Sequence, residues 1–168
     1  MDLHMRSYRG HSLPDWSAAA VAGLAAGAIL MVLELFWSTL ASSGSPWAAS
    51  HMIAAIVMGP GVLQSSDFSL QIVAVALVAH YVLGIVFGLV LAAIIAPFRG
   101  DSGVAVVALA GAVFGAVLYL LNFYGMVHFF PWFAEWRGAA TLVIHLIFGV
   151  AAALLYWKLE RQEAGRLR

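Results

Sequence analysis

"AGLAAGAILMVLELFW", residues Ala22–Trp37, is apolar from end to end except at Glu34. It lies inside a longer run, Trp16–Leu40, and three more runs of the same character follow: Leu70–Pro97, Gly103–Val127 and Gly138–Trp157. Crossing a bilayer takes about 20 mainly apolar residues, so each run is long enough to span. The first is longer than the ~7–15 residue apolar core of a secretory signal and holds a carboxylate, so it reads as a retained helix although Arg6 and Arg9 precede it. The expected fold is therefore all-α, a four-helix transmembrane bundle.

Composition agrees. The chain is 64% hydrophobic and 10% charged, where soluble domains carry roughly 25% charged residues. Formal net charge is zero, which gives no footprint for nucleic acid. The absence of Cys excludes disulfides, thiolate metal sites, iron–sulfur clusters and covalently attached haem.

The opening stretch also recurs. Ala22–Trp37 aligns without gaps on Ala110–Gly125, "AGAVFGAVLYLLNFYG". Pro46-Trp47-Ala48-Ala49 then matches Pro131-Trp132-Phe133-Ala134, and His80-Tyr81-Val82-Leu83-Gly84 matches His145-Leu146-Ile147-Phe148-Gly149. The order is kept, so the bundle reads as two duplicated parallel hairpins related by a pseudo-twofold along the membrane normal. Repeat one covers about residues 16–97 and repeat two about 103–157, together one transmembrane domain over 16–157, with tails at 1–15 and 158–168. Repeat one carries an insertion, 47–63, whose apolar run is stopped by Gly59-Pro60-Gly61 and is too short to span. A short interfacial or re-entrant helix is expected there.

Seven of the eight Lys and Arg residues fall in the two tails and the loop around Arg99; Arg137 alone lies in the other connections. The positive-inside rule then puts both termini in the cytoplasm of a bacterial inner membrane, with 41–69 and 128–137 outside.

Four of the polar residues within the apolar spans pair up in the duplication. Glu34 corresponds to Asn122 in the duplication, and His80 to His145. At 1.5 Å per residue, Glu34 lies about 9 Å from the outer end of its span, and His80 and His145 about 15 Å and 10 Å from theirs. All four share a depth. They also share small-residue stripes: Gly23 and Gly27 with Glu34, Gly84 and Gly88 with His80, Gly111 and Gly115 with Asn122, Gly149 with His145. Such stripes mark helix packing faces, so the polar side chains should face the bundle interior, where intramembrane ionisable groups usually serve function.

Several chemistries stay open for this layer. One is structural: hydrogen bonds that fix helix packing. A second is a divalent metal (Zn, Fe or Cu), with His80, His145 and Glu34 as ligands and His51 or His128 adding one from the outer loops. A third is haem b, held axially by His80 and His145. The fourth is a proton or substrate path through Glu34 and the two histidines. No nucleophile motif or phosphate-binding loop occurs, and His4 and His11 read as ordinary tail residues.

The stretches "HMIAAIVMGPGVLQSSDF", "LVAHYVLGIVFG" and "EWRGAATLVIHLIFG" resemble those of small bacterial four-helix inner-membrane proteins of uncharacterised function. Some of these carry a sodium/proline symporter label, but symporters of that class are built from many helices in inverted repeats. The resemblance implies the fold and no catalytic residue. The expected function is non-enzymatic: an accessory subunit or small binding protein of the inner membrane, or a haem or metal binder, or a small transporter or channel protomer. The bilayer is the first partner, and a homo-oligomer or a larger membrane complex the next.

Overall fold

The computed structural model describes residues 13–41, 45–96 and 103–166. Pro97, Arg6, Arg9, Arg99, Arg168, Ser42, Ser43, His4 and His11 lie outside them. Among the described residues five α-helices form: α1 (Trp16–Ala41), α2 (Ala48–Met58), α3 (Leu70–Ile95), α4 (Val104–Leu120) and α5 (Ala139–Arg166). Four stretches are long and apolar enough to cross a membrane, and α2 is too short. The chain is an all-α four-helix bundle with one extra short helix, as an integral membrane protein requires. α1 begins after Asp15, whose carboxylate accepts from Ala18 N–H at 3.0 Å and satisfies a donor with no intrahelical partner. Ser69 does the same for α3, accepting from Ile72 N–H.

Two helix ends differ from the hydropathy reading. α5 runs on through Arg166 rather than stopping near Trp157, because Lys158-Leu159-Glu160-Arg161-Gln162-Glu163 are all good helix formers. α4 gives way at Leu121 to one π-helical turn, Leu121–Gly125, and then to short 3-10 turns at Met126–His128 and Pro131–Trp136.

Glycine sets the pairing of the spans. A Cβ on Gly23 would collide with Gly84 O, and one on Gly88 would stand 2.6 Å from Gly23 Cα, so α1 and α3 touch backbone to backbone. Gly111 and Gly149 meet in the same way between α4 and α5. These positions correspond in the alignment of the two halves of the sequence. The arrangement of the two hairpins is less symmetric: α1 also packs along α5, whereas α3 and α4 barely touch. The four spans form an open row, α3–α1–α5–α4, with a seam between its ends.

The insertion lies at one end of that seam. α2 is buried from Ala49 to Ala55, packed on α3 and α1 instead of lying open at the surface. His51 ties it down, with Nδ1 at 2.6 Å from Val62 O and Nε2 at 2.9 Å from Asp67 O. Trp47 stacks on Phe68 at 4.9 Å. Gly59, at φ +86°, turns the chain sharply after α2.

Candidate functional site

The four polar residues read from the duplication line one cavity. It has a volume of about 410 Å³ and is bounded by Glu34, His80, Asn122 and His145 together with apolar side chains from α1, α2, α3, α4, α5 and the 121–133 segment. That volume falls within the roughly 300–1,000 Å³ of small-molecule sites, which are apolar with a few convergent polar groups. Glu34, His80 and His145 are buried, and Asn122 is half-buried on the π turn. π-helical turns recur at functional sites because they turn a side chain out of the regular helical register.

The two histidines are held differently. His80 Nε2–H donates to Gly27 O across the α1–α3 contact at 3.0 Å. The close backbone approach of α1 and α3 at Gly23, Gly84 and Gly88 brings that carbonyl within reach of the ring. The neutral ring then has Nδ1 as its acceptor, and Nδ1 faces Glu34 Oε2 at 3.8 Å, too far for a direct hydrogen bond. In the second hairpin the ring turns to its own helix instead: His145 donates Nδ1–H to Thr141 O at 2.9 Å. Its Nε2 becomes the acceptor and faces Asn122 Nδ2 at 3.4 Å.

Glu34 is the unsatisfied member. Its Oε2 is buried with no hydrogen-bond partner, as is Ser38 Oγ one turn along α1. Beside Glu34 and His80 lies a second, small cavity of about 60 Å³, walled by Trp47, Ser50 and Ile53 among others. A water needs roughly 10–15 Å³ of such space and two or more polar partners, so this cavity has room to hydrate the carboxyl from the α2 side.

Aromatic residues close the main cavity at that end. Phe130 packs on Trp132 and Phe133 with centroids 5.4 Å apart in each case, and Phe133 meets Phe123 at 5.7 Å. Trp132 Nε1–H donates to Met52 O at 3.2 Å, fastening this roof to α2. Beyond it lies an open vestibule of about 700 Å³ that includes His51, Glu135 and Arg137. Arg137 donates Nε–H to Phe123 O at 2.6 Å and stacks over Tyr124. The motif reading missed this roof; the aromatic run Phe129-Phe130-Pro131-Trp132-Phe133 was its visible signal.

Along the seam the cavity has no such cover. Leu83 on α3 and Leu121 at the end of α4 both line it, yet they are 37% and 51% exposed. A mainly apolar groove continues the seam toward the termini, between Ile94 on α3 and Val106, Leu109 and Val113 on α4, with Tyr156 and Trp157 also lining it.

The five-residue metal set is not assembled. His51 turns both ring nitrogens toward the carbonyls of Val62 and Asp67, to one of which a neutral ring donates, and His128 is exposed on its 3-10 turn. Among the described residues no group of three or more His, Asp or Glu side chains converges as metal ligands. The axial pair for haem b is not presented either. Both ring nitrogens of His145 face protein groups, and His80 has Nε2 committed to Gly27 and Nδ1 turned toward Glu34.

Comparison of the chain with protein families, with curated proteins and with solved structures finds no match.

Proposed function

We propose that this integral membrane protein is a binding protein for a small, largely apolar molecule. The molecule lies inside the bundle with its polar part against Glu34, His80, Asn122 and His145. The observation that carries the reading is the convergence of those four side chains, two from each hairpin, on one apolar cavity of about 410 Å³. The ligand comes from the lipid phase. The aromatic roof bars the aqueous side, while the open α3–α4 seam faces the acyl chains. The polar layer lies in the outer half of a bacterial inner membrane with both termini cytoplasmic, an orientation supported by the Lys/Arg distribution. Binding needs no chemical step, and the layer contains no activated nucleophile.

Native mass spectrometry of protein released from lipid nanodiscs tests this. Wild type should retain one small molecule per chain. Glu34→Ala should lose it while eluting as wild type on size exclusion. No retained molecule, or one equally retained by Glu34→Ala, would overturn the reading.

A further inference from the structure

We propose that the ligand is a lipophilic organic monocation, with the Glu34 carboxylate as its counter-charge. This rests on the binding reading above and names the class of molecule that the cavity takes.

The argument starts from charge. Among the described residues no Lys or Arg lines the cavity, and Glu34 Oε2 is buried with no hydrogen-bond partner among them. A carboxyl group in lipid has to be neutralised, by a proton or by a cation. The titratable groups facing Glu34 are His80 from α3 and His145 from α5. α2, α4 and the 121–133 segment contribute no ionisable side chain to these walls. His51 is turned to the carbonyls of Val62 and Asp67, and Glu135 and Arg137 belong to the vestibule. His80 donates to Gly27 O, and its other nitrogen is 3.8 Å from the carboxylate, so no short ion pair occupies Glu34.

The walls favour the same sign. Phe87, Phe123, Phe130, Phe133 and Phe148 line the cavity, and aromatic faces attract cations, most strongly where water is excluded. An anion would meet a carboxyl group, aromatic rings and, among the described residues, no Lys or Arg. A cation with an apolar body satisfies the orphan oxygen and the rings at once, and it partitions into the bilayer that the seam opens on. Its arrival displaces the proton. The Glu34 O–H bond breaks, the electron pair stays on the carboxylate, and the proton leaves by way of the small cavity beside Ser50, which has room for water. Net charge in the cavity is unchanged by the exchange.

The test uses probes of similar shape and different charge on the purified full chain: tetraphenylphosphonium, tetraphenylborate and uncharged triphenylmethanol. Tetraphenylphosphonium should bind saturably, releasing close to one proton per site into weak buffer. Its affinity should fall roughly tenfold per pH unit wherever Glu34 starts protonated. Tetraphenylborate should neither bind nor compete. Glu34→Gln, neutral and nearly isosteric, should bind the phosphonium at least tenfold more weakly, without pH dependence, and keep wild-type affinity for triphenylmethanol. Equal binding of the borate, or an unaltered phosphonium affinity in Glu34→Gln, overturns the proposal. Saturable binding of triphenylmethanol alone sinks the cation class and leaves the binding reading standing. If none of the three binds, the binding reading itself falls.

Discussion

Replacing Gly88 with alanine puts a methyl carbon 2.6 Å from Gly23 Cα and 2.7 Å from Ala19 O. Carbon atoms in good contact sit about 3.5–4.0 Å apart, so the deficit is roughly 1 Å. Both neighbours are backbone, and no rotamer change relieves the clash: α1 and α3 have to separate. Overpacking of this kind costs about 1–3 kcal/mol. Separation also stretches the His80–Gly27 hydrogen bond, which adds about 0.6 kcal/mol by the membrane average. Alanine's better helix propensity returns up to about 1 kcal/mol, leaving a net loss of roughly 1–3 kcal/mol. Gly27 sits one turn further along the same interface, and a methyl there meets Gly84 Cα at 3.5 Å, an ordinary contact. Gly27→Ala should stay within about 0.5 kcal/mol of wild type, in the range of benign substitutions. The assay is denaturation by SDS in mixed micelles, followed by tryptophan fluorescence. A Gly88→Ala protein as stable as Gly27→Ala would refute the backbone contact between α1 and α3, and with it the route by which His80 reaches Gly27 O.

Three further predictions follow from separate parts of the molecule. Ala18 N–H, and next the side chain of Glu163, pull the Asp15 carboxyl down to about 2. The stability this gives is complete above the ordinary carboxylate range and is lost as pH falls toward 2; thermal scans should show the deficit of Asp15→Ala shrinking over that window. A periplasm-active reporter fused after Arg168 should be silent and one inserted near Gln64 active, as the Lys/Arg distribution requires; the opposite pattern would invert the membrane orientation. His80→Gln should keep the fold, because glutamine still offers a donor and an acceptor, yet weaken ligand binding by removing the imidazole that faces Glu34 at 3.8 Å. Unchanged binding would make His80 a packing residue.

The spans were legible because a bilayer demands long apolar runs, and Glu34, His80, Asn122 and His145 stood out because each interrupts one. Their convergence was legible too, since the glycine stripes fix which faces meet. The hydrogen-bond chemistry was not. His80 and His145 occupy equivalent positions in sequence, yet one donates across to Gly27 and the other along its own helix to Thr141. That difference depends on how closely two backbones approach, which residue spacing does not encode. The open seam was hidden for a related reason. A duplication predicts equal contacts in both halves, but the α2 insertion belongs to one half only and packs on α3. The π turn that carries Asn122 has no marker, because Leu121–Gly125 reads as continuing helix. His51 and His128, expected as added ligands to His80, His145 and Glu34, do not line the cavity with them, because nearness in outer loops is not convergence: His51 faces the carbonyls of its own loop.

Histidine ring resonances give the most direct test that the polar layer is the ligand site. In protein labelled at its histidines and titrated with tetraphenylphosphonium and then triphenylmethanol, at least one probe should move the His80 and His145 signals together, saturably, while His51 and His128 stay in place. Shifts at His51 or His128 alone, or no paired movement of His80 and His145 with either probe, would contradict it.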